Sequence, residues 1–174
     1  LNNSKILGSS IFVPYFNVIS DNKDLTFKPT LFEDNKYILQ NEYRQKNKNS
    51  DLITDFALTK GYQAIIDGEK NNRNSIGHLF LEHNYDLKLN GYKHSKIKTR
   101  IEKVTNDTYL KVFQNNLYSF ESDVIPTNKD SMVSNINFNL EHQDYDFSSN
   151  FQVFEELGKK HSDRYQYVLP SYNF

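Results

Sequence analysis

The feature that most constrains this chain is a two-residue alternation of apolar and polar side chains, repeated in stretches of similar length. Leu25, Phe27, Pro29 and Leu31 alternate with Thr26, Lys28 and Thr30. Tyr37, Leu39 and Tyr43 alternate with Gln40, Glu42 and Arg44. Leu52, Phe56 and Leu58 oppose Asp55 and Thr59, and Leu79, Leu81 and Tyr85 oppose His78, Glu82 and Asn84. Further on, Met132, Ile136, Phe138 and Leu140 oppose Asn135, Asn137, Asn139 and Glu141, and Tyr145, Phe147, Phe151 and Val153 oppose Asp146, Ser148, Asn150 and Gln152. Successive side chains of a strand point to opposite faces, so each stretch specifies a strand with one apolar and one polar face.

The pattern predicts an all-β chain, an antiparallel meander of about nine strands of roughly ten residues, longer than the usual globular strand. They are expected near Ser10–Ile19, Asp24–Glu33, Lys36–Lys46, Asp51–Gly61, Ser75–Leu89, Ser95–Val104, Ser131–His142, Tyr145–Glu155 and Arg164–Phe174. Turn residues separate them: Ser20-Asp21-Asn22-Lys23, Asp34-Asn35, Asn47-Lys48-Asn49 and Asn90-Gly91 suit tight antiparallel links. Two connections are longer, at Ile65–Asn74 and Thr105–Asp130, with a helical turn expected within Asp107–Phe113. No repeat or low-complexity linker divides the chain, so residues 1–174 read as one architectural unit.

Alternation by itself fits two architectures. A soluble sandwich turns its polar faces to water and packs its apolar faces together. A membrane barrel turns its apolar faces to lipid. Strand length favours the barrel, because about ten tilted residues cross a bilayer. The mean hydropathy of -0.75 does not oppose it, since a barrel strand shows lipid only every second residue. Composition agrees with strands: 12 Tyr and 13 Phe stand with no Trp, and helix-favouring Ala is scarce.

Catalytic and metal chemistry finds no footing in the sequence. There is no Cys, hence no disulfide and no thiolate ligand. No Gly-rich phosphate loop and no serine elbow occurs. His78, Glu82 and His83 have the spacing His-x-x-x-Glu-His, which matches no zinc-protease pattern. On a strand, His78 and Glu82 share a face while His83 points away, so the three cannot converge. A formal net charge of -1 gives no pull toward nucleic acid. The reading expects no enzyme, no cofactor and no metal. It also sees no basic leader with an apolar run, and strand-like sequence continuing to the last residue, so it expects a portion of a larger protein.

Three stretches carry a family resemblance. The first is Val13-Pro14-Tyr15-Phe16-Asn17, then Asp24-Leu25-Thr26-Phe27-Lys28-Pro29, then Glu42-Tyr43-Arg44. The second runs from Lys103 to Phe113 and includes Val104, Asp107 and Tyr109; its Thr105-Asn106 departs from the family's usual Ser-Asp. The third is Phe151-Gln152-Val153-Phe154 followed by Tyr165, Tyr167 and Leu169-Pro170. Together, in this order and across nearly the whole chain, they resemble the start of the β-barrel in the lipopolysaccharide-assembly outer-membrane protein family (LptD, OstA or Imp) of Gram-negative bacteria.

The resemblance implies the amino-terminal part of a large transmembrane barrel, without the family's periplasmic jelly-roll domain and carboxy-terminal strands. It implies a bacterial outer-membrane location and transport of lipopolysaccharide into the outer leaflet. Its implied partners are lipopolysaccharide, a plug lipoprotein (LptE-like) inside the barrel, and a periplasmic bridge protein (LptA-like) reached through the jelly-roll. Pro14 and Pro29 fall where the family has prolines taken to weaken the lateral gate, although each also fits a strand start or a bulge. Thr26, Lys28, Gln40, Glu42 and Arg44 would face the lumen, either touching sugar, phosphate or plug or forming a generic wet wall. If the first strand enters from the periplasm, both long connections fall on the periplasmic side, against the habit of porins. The alternative function is a soluble carbohydrate-binding β-sandwich; a sandwich hydrolase is a third.

Overall fold

The computed structural model describes residues 2–4, 7–33, 35–60, 64–66, 69–71, 76–119 and 123–173. Thirteen strands are present: β1 (Asn2–Ser4), β2 (Gly8–Phe12), β3 (Tyr15–Ser20), β4 (Lys23–Phe32), β5 (Tyr37–Lys46), β6 (Ser50–Lys60), β7 (Ala64–Ile66), β8 (Glu69–Asn71), β9 (Ile76–Asp86), β10 (His94–Val104), β11 (Ser131–Glu141), β12 (Asp146–Glu156) and β13 (Tyr165–Asn173). Two short helices, α1 (Tyr109–Phe113) and α2 (His161–Arg164), and a 3-10 turn at Gln114–Asn116 complete the described elements.

Eleven strands form one antiparallel sheet in the order β1-β2-β4-β5-β6-β9-β10-β11-β12-β13, with β3 beside β4. It is an all-β meander, as the alternation predicts, and it is not closed into a barrel. Most long strands start and stop within a residue or two of the expected limits. Two features depart from expectation. The first expected strand is broken: β2 and β3 share one register on β4, Phe12↔Thr30 and Tyr15↔Phe27, with Val13 and Pro14 between them. The connection after β6 is not plain loop, because β7 and β8 pair into a small ribbon.

Turn chemistry fits the links. Asn35 adopts φ 58° after β4, and Gly91 adopts φ 87° between β9 and β10, both left-handed conformations that these residue types tolerate. Gly77 serves another need. A Cβ there would lie 2.1 Å from the Ala57 carbonyl oxygen, so only glycine lets β9 lie this close to β6. Its N–H donates to Thr105 Oγ1 at 2.8 Å and its carbonyl accepts from Thr105 N at 3.0 Å, tying the end of β10 to the start of β9.

Register sorts the side chains into two faces. One row reads Lys28↔Gln40↔Ala57↔His78↔Val104, and the next reads Thr26↔Glu42↔Asp55↔Phe80↔Glu102. The opposite face has Phe27↔Asn41↔Phe56↔Leu79 and Leu25↔Tyr43↔Thr54↔Leu81↔Ile101. Over β4–β9 the polar-alternate face is the buried one. The connection after β10 folds back across it, and Tyr109, Leu110, Phe113, Leu117 and Val124 pack on Phe32, Ile38, Ala57, Ile76, Phe80 and Val104. The apolar-alternate face is open among the described residues: Leu31, Leu58, Leu79, Ile136 and Phe151 are exposed, and Leu25, Phe27, Leu39, Leu52 and Phe138 are half-buried.

Candidate functional site: a buried ionic network under an inner segment

The helix α1 starts where Asn106 can organise it. The Asn106 side-chain carbonyl accepts from the N–H and the hydroxyl of Thr108, both at 2.8 Å, and the Tyr109 N–H donates to the Asn106 main-chain carbonyl at 3.1 Å. Tyr109, Leu110 and Phe113 lie on one side of this turn and are buried. The chain then runs through Gln114–Asn116 to Tyr118, whose ring stacks on Phe12 at 4.1 Å between centroids. Residues 105–119 therefore reach from the end of β10 to the far side of the sheet.

Lys28 lies at the centre of what they cover. It is fully buried, and its ammonium donates to Glu42 and Asp55, each at 2.9 Å, and to the Tyr118 carbonyl. An ammonium has three donors, and all three are used. Gln40 completes the grip on the same peptide: its Nε2 donates to the Tyr118 carbonyl at 3.1 Å, and its Oε1 accepts from Tyr118 N at 3.0 Å. Asp55 also accepts from Gln40 at 2.8 Å and bonds His78 Nε2 at 2.6 Å. His78 Nδ1 meets the Tyr109 hydroxyl at 2.8 Å. A neutral ring with its proton on Nε2 satisfies both contacts, donating to Asp55 and accepting from Tyr109.

Sequence reasoning singled out five of the residues on this face, and the structure separates them. Lys28, Gln40 and Glu42 join the network, Thr26 is buried beside it, and Arg44 stands apart, half-buried, with its Nε 2.9 Å from Asp24. Lys28 and Gln40 bond the inner segment directly, and Glu42 is tied to it through Lys28. Asp55, His78, Tyr109 and Tyr118 complete the network without having been singled out for it. His78 had drawn notice only through its spacing to Glu82 and His83. Register puts Glu82 on the same face as His78 and His83 on the other, where its ring lies 6.1 Å from that of Tyr85.

Among the described residues no layer forms over the polar face of β10–β12 at Lys96, Lys98, Asn135, Asn137 and Asn139, where side chains are exposed or half-buried. Cross-strand pairs set Lys96 opposite Asn139, Lys98 opposite Asn137 and Arg100 opposite Asn135, and these continue to Ser148, Asn150 and Gln152 on β12. Arg100 donates to the Asp123 carbonyl at 3.2 Å. The result is a wall of cations and carboxamides beside the sealed region.

Pro14 and Pro29 lie at the first-strand side of the sheet. Val13 N–H donates to the Pro29 carbonyl at 3.3 Å, and Pro29 has no N–H to return the bond. Strand alternation turns the Pro14 nitrogen away from β4, toward the outer edge. On that edge, among the described residues, β1 covers Gly8–Ser10 and β3 has β4 as its one partner. Neither a known family model nor a curated protein matches this chain.

Proposed function

We propose that this chain forms the amino-terminal wall of an outer-membrane β-barrel and serves the passage of lipopolysaccharide to the outer leaflet. One observation carries the membrane half of this reading: the sheet is inverted relative to a soluble protein. Lys28, Glu42, Asp55 and His78 lie buried on one face while Leu31, Leu58, Leu79, Ile136 and Phe151 face outward without a covering layer among the described residues. In water such a face would bring another sheet onto itself; next to hydrocarbon it is the stable arrangement.

Strand length supports the same conclusion. Eleven residues, at about 3.4 Å per step and a tilt of about 40°, reach roughly 26 Å along a bilayer normal, close to the apolar band of outer-membrane barrels. Tyrosines and charges collect near the ends of the apolar face. Tyr92 and Tyr145 share a hydroxyl contact of 2.9 Å beside one set of turns, and Tyr165 contacts Lys103 at 3.0 Å toward the other end. This placement suits the two interfacial belts of a barrel. A sandwich would need a second sheet over the apolar face; the other described sheet is the ribbon β7-β8.

The substrate rests on the family resemblance, and the site geometry is compatible with it. The open wall of Lys96, Lys98, Asn137 and Asn150 offers donors suited to phosphate and sugar hydroxyls. Pro14 and Pro29 are assigned to the lateral gate, since Pro14 removes a donor from the edge that a closing strand would pair and Pro29 removes one that would face Val13. The plug lipoprotein and bridge protein implied by the family are taken as partners of the whole protein. The test is photo-cross-linking in cells making the full-length protein, with a photoreactive residue at Asn137 or Phe16. Lipopolysaccharide adducts are expected at both positions; their absence from both, with the protein folded in the membrane, overturns the substrate assignment.

A further inference from the structure

We infer that residues 105–119 are a resident inner plug, locked on the β4–β9 wall by Lys28, which stays in place while substrate moves along the uncovered wall. The inference rests on the barrel reading and adds a division of the lumen into a sealed half and an open half.

The bonding pattern distinguishes a fixed plug from a movable lid. A lid is held by contacts that water can replace. Here the contacts are buried and satisfied from both sides. Lys28, Gln40, Glu42 and Asp55 are all at or below 1 % exposure. The Tyr118 peptide is engaged at both its N–H and its carbonyl, as a strand neighbour would engage it. Apolar burial supports the plug beside this network, where Tyr109, Leu110 and Phe113 pack on Ile38, Ile76, Phe80 and Val104. Releasing the segment would take the Tyr118 carbonyl from Lys28, break both Gln40 bonds to Tyr118 and uncover an apolar surface in one step, so partial opening gains nothing.

The open half differs in kind. Lys96 and Lys98 are exposed, and Asn135, Asn137, Asn150 and Gln152 are half-buried. Asn is disfavoured in strands, and three alternate positions of β11 carry it, facing Asn150 and Gln152. Lys96 and Lys98 thus present their ammonium groups on the open side, whereas the Lys28 ammonium is fully engaged.

Two changes in the full-length protein test the inference. In the first, Phe12→Cys and Tyr118→Cys, whose parent rings stack at 4.1 Å, are joined by a short thiol-bridging reagent. In the second, Lys28→Met removes the lock. The bridged protein should deliver lipopolysaccharide to the surface at the normal level. The Lys28→Met protein should admit a small hydrophilic chromogenic β-lactam about tenfold faster, and the bridge added to Lys28→Met should reverse that leak. If bridging stops delivery, the segment moves and the inference is wrong. If folded Lys28→Met does not leak, the segment does not seal the passage, and the inference again fails. If Lys28→Met does not fold, the bridged wild-type protein alone decides between a fixed and a moving segment. Recovery of the unaltered full-length protein in the aqueous fraction after alkaline extraction would instead refute the barrel reading, which keeps the two failures apart.

Discussion

Replacing Lys28 by Met has a calculable consequence. The side chain is fully buried, so the change removes one cation and leaves Glu42, Asp55 and the Tyr118 carbonyl around an apolar group of similar length. Each acceptor loses a charge-assisted bond, and the two carboxylates are left facing each other. Breaking a buried pair by removing one partner costs about 3–5 kcal/mol. That is a large part of a stability of about 5–15 kcal/mol. Much of the cost is the uncompensated charge, so adding Glu42→Gln and Asp55→Asn to Lys28→Met should recover a substantial part of it. The assay is urea-induced unfolding of the full-length protein in lipid vesicles, with limited proteolysis across residues 105–119 as a local readout. The single variant should unfold at lower urea and be cut in this segment, and the triple variant should lie between it and the parent. A loss below about 0.5 kcal/mol for the single variant, the range of ordinary surface substitutions, would refute the reasoning.

Other perturbations test other parts of the account. Gly77→Ala places a methyl 2.1 Å from the Ala57 carbonyl oxygen and should separate β6 from β9, read as lost amide protection in both strands. Phe138→Arg in the full-length barrel should cost about 2–4 kcal/mol if the residue lies near mid-bilayer, measured by vesicle refolding. Pro29→Ala restores a donor facing Val13 and should strengthen that junction by about 0.5–1.5 kcal/mol, with slower lipopolysaccharide delivery at unchanged protein level. Pro14→Ala restores a donor at the outer edge, so its effect should appear only when a closing strand is present. The Glu33 carboxyl is held below the usual range by hydrogen bonds from the Ser9 hydroxyl and N–H. That contact is complete above the ordinary carboxylate value of about 4.3 and should be lost as pH falls through the lowered one, seen as faster exchange of the Ser9 amide.

The strands were legible because their signal is local. The expectation of Lys36–Lys46 stands beside an observed Tyr37–Lys46, and Ser131–His142 beside Ser131–Glu141. The division of faces was legible for the same reason, since register preserves the two-residue period across neighbours. The break at Val13-Pro14 was missed because apolar residues continue through it and only the missing donor interrupts the strand. The ribbon of β7 and β8 is three residues on each side, too short for a periodic signal. The network was legible only in part. Lys28, Gln40 and Glu42 share one polar face by the alternation alone, but the carbonyl that Lys28 and Gln40 bind comes from Tyr118, ninety residues from Lys28 in the chain. Nothing local to Lys28 announces that partner. Tyr109 lay within a recognised motif, yet its bond to His78 depends on a chain reversal that no periodicity encodes.

The central claim is that the apolar face meets lipid and the uncovered polar face meets water. Spin labels placed singly at Phe56, Ile136 and Phe151, and at Asn137 and Gln152, in full-length protein reconstituted into vesicles test it directly through their collision rates with oxygen and with a water-soluble nickel chelate. The account predicts that labels at Phe56, Ile136 and Phe151 collide mainly with oxygen, and labels at Asn137 and Gln152 mainly with the chelate. Chelate-dominated collisions at Phe56, Ile136 and Phe151 would contradict it.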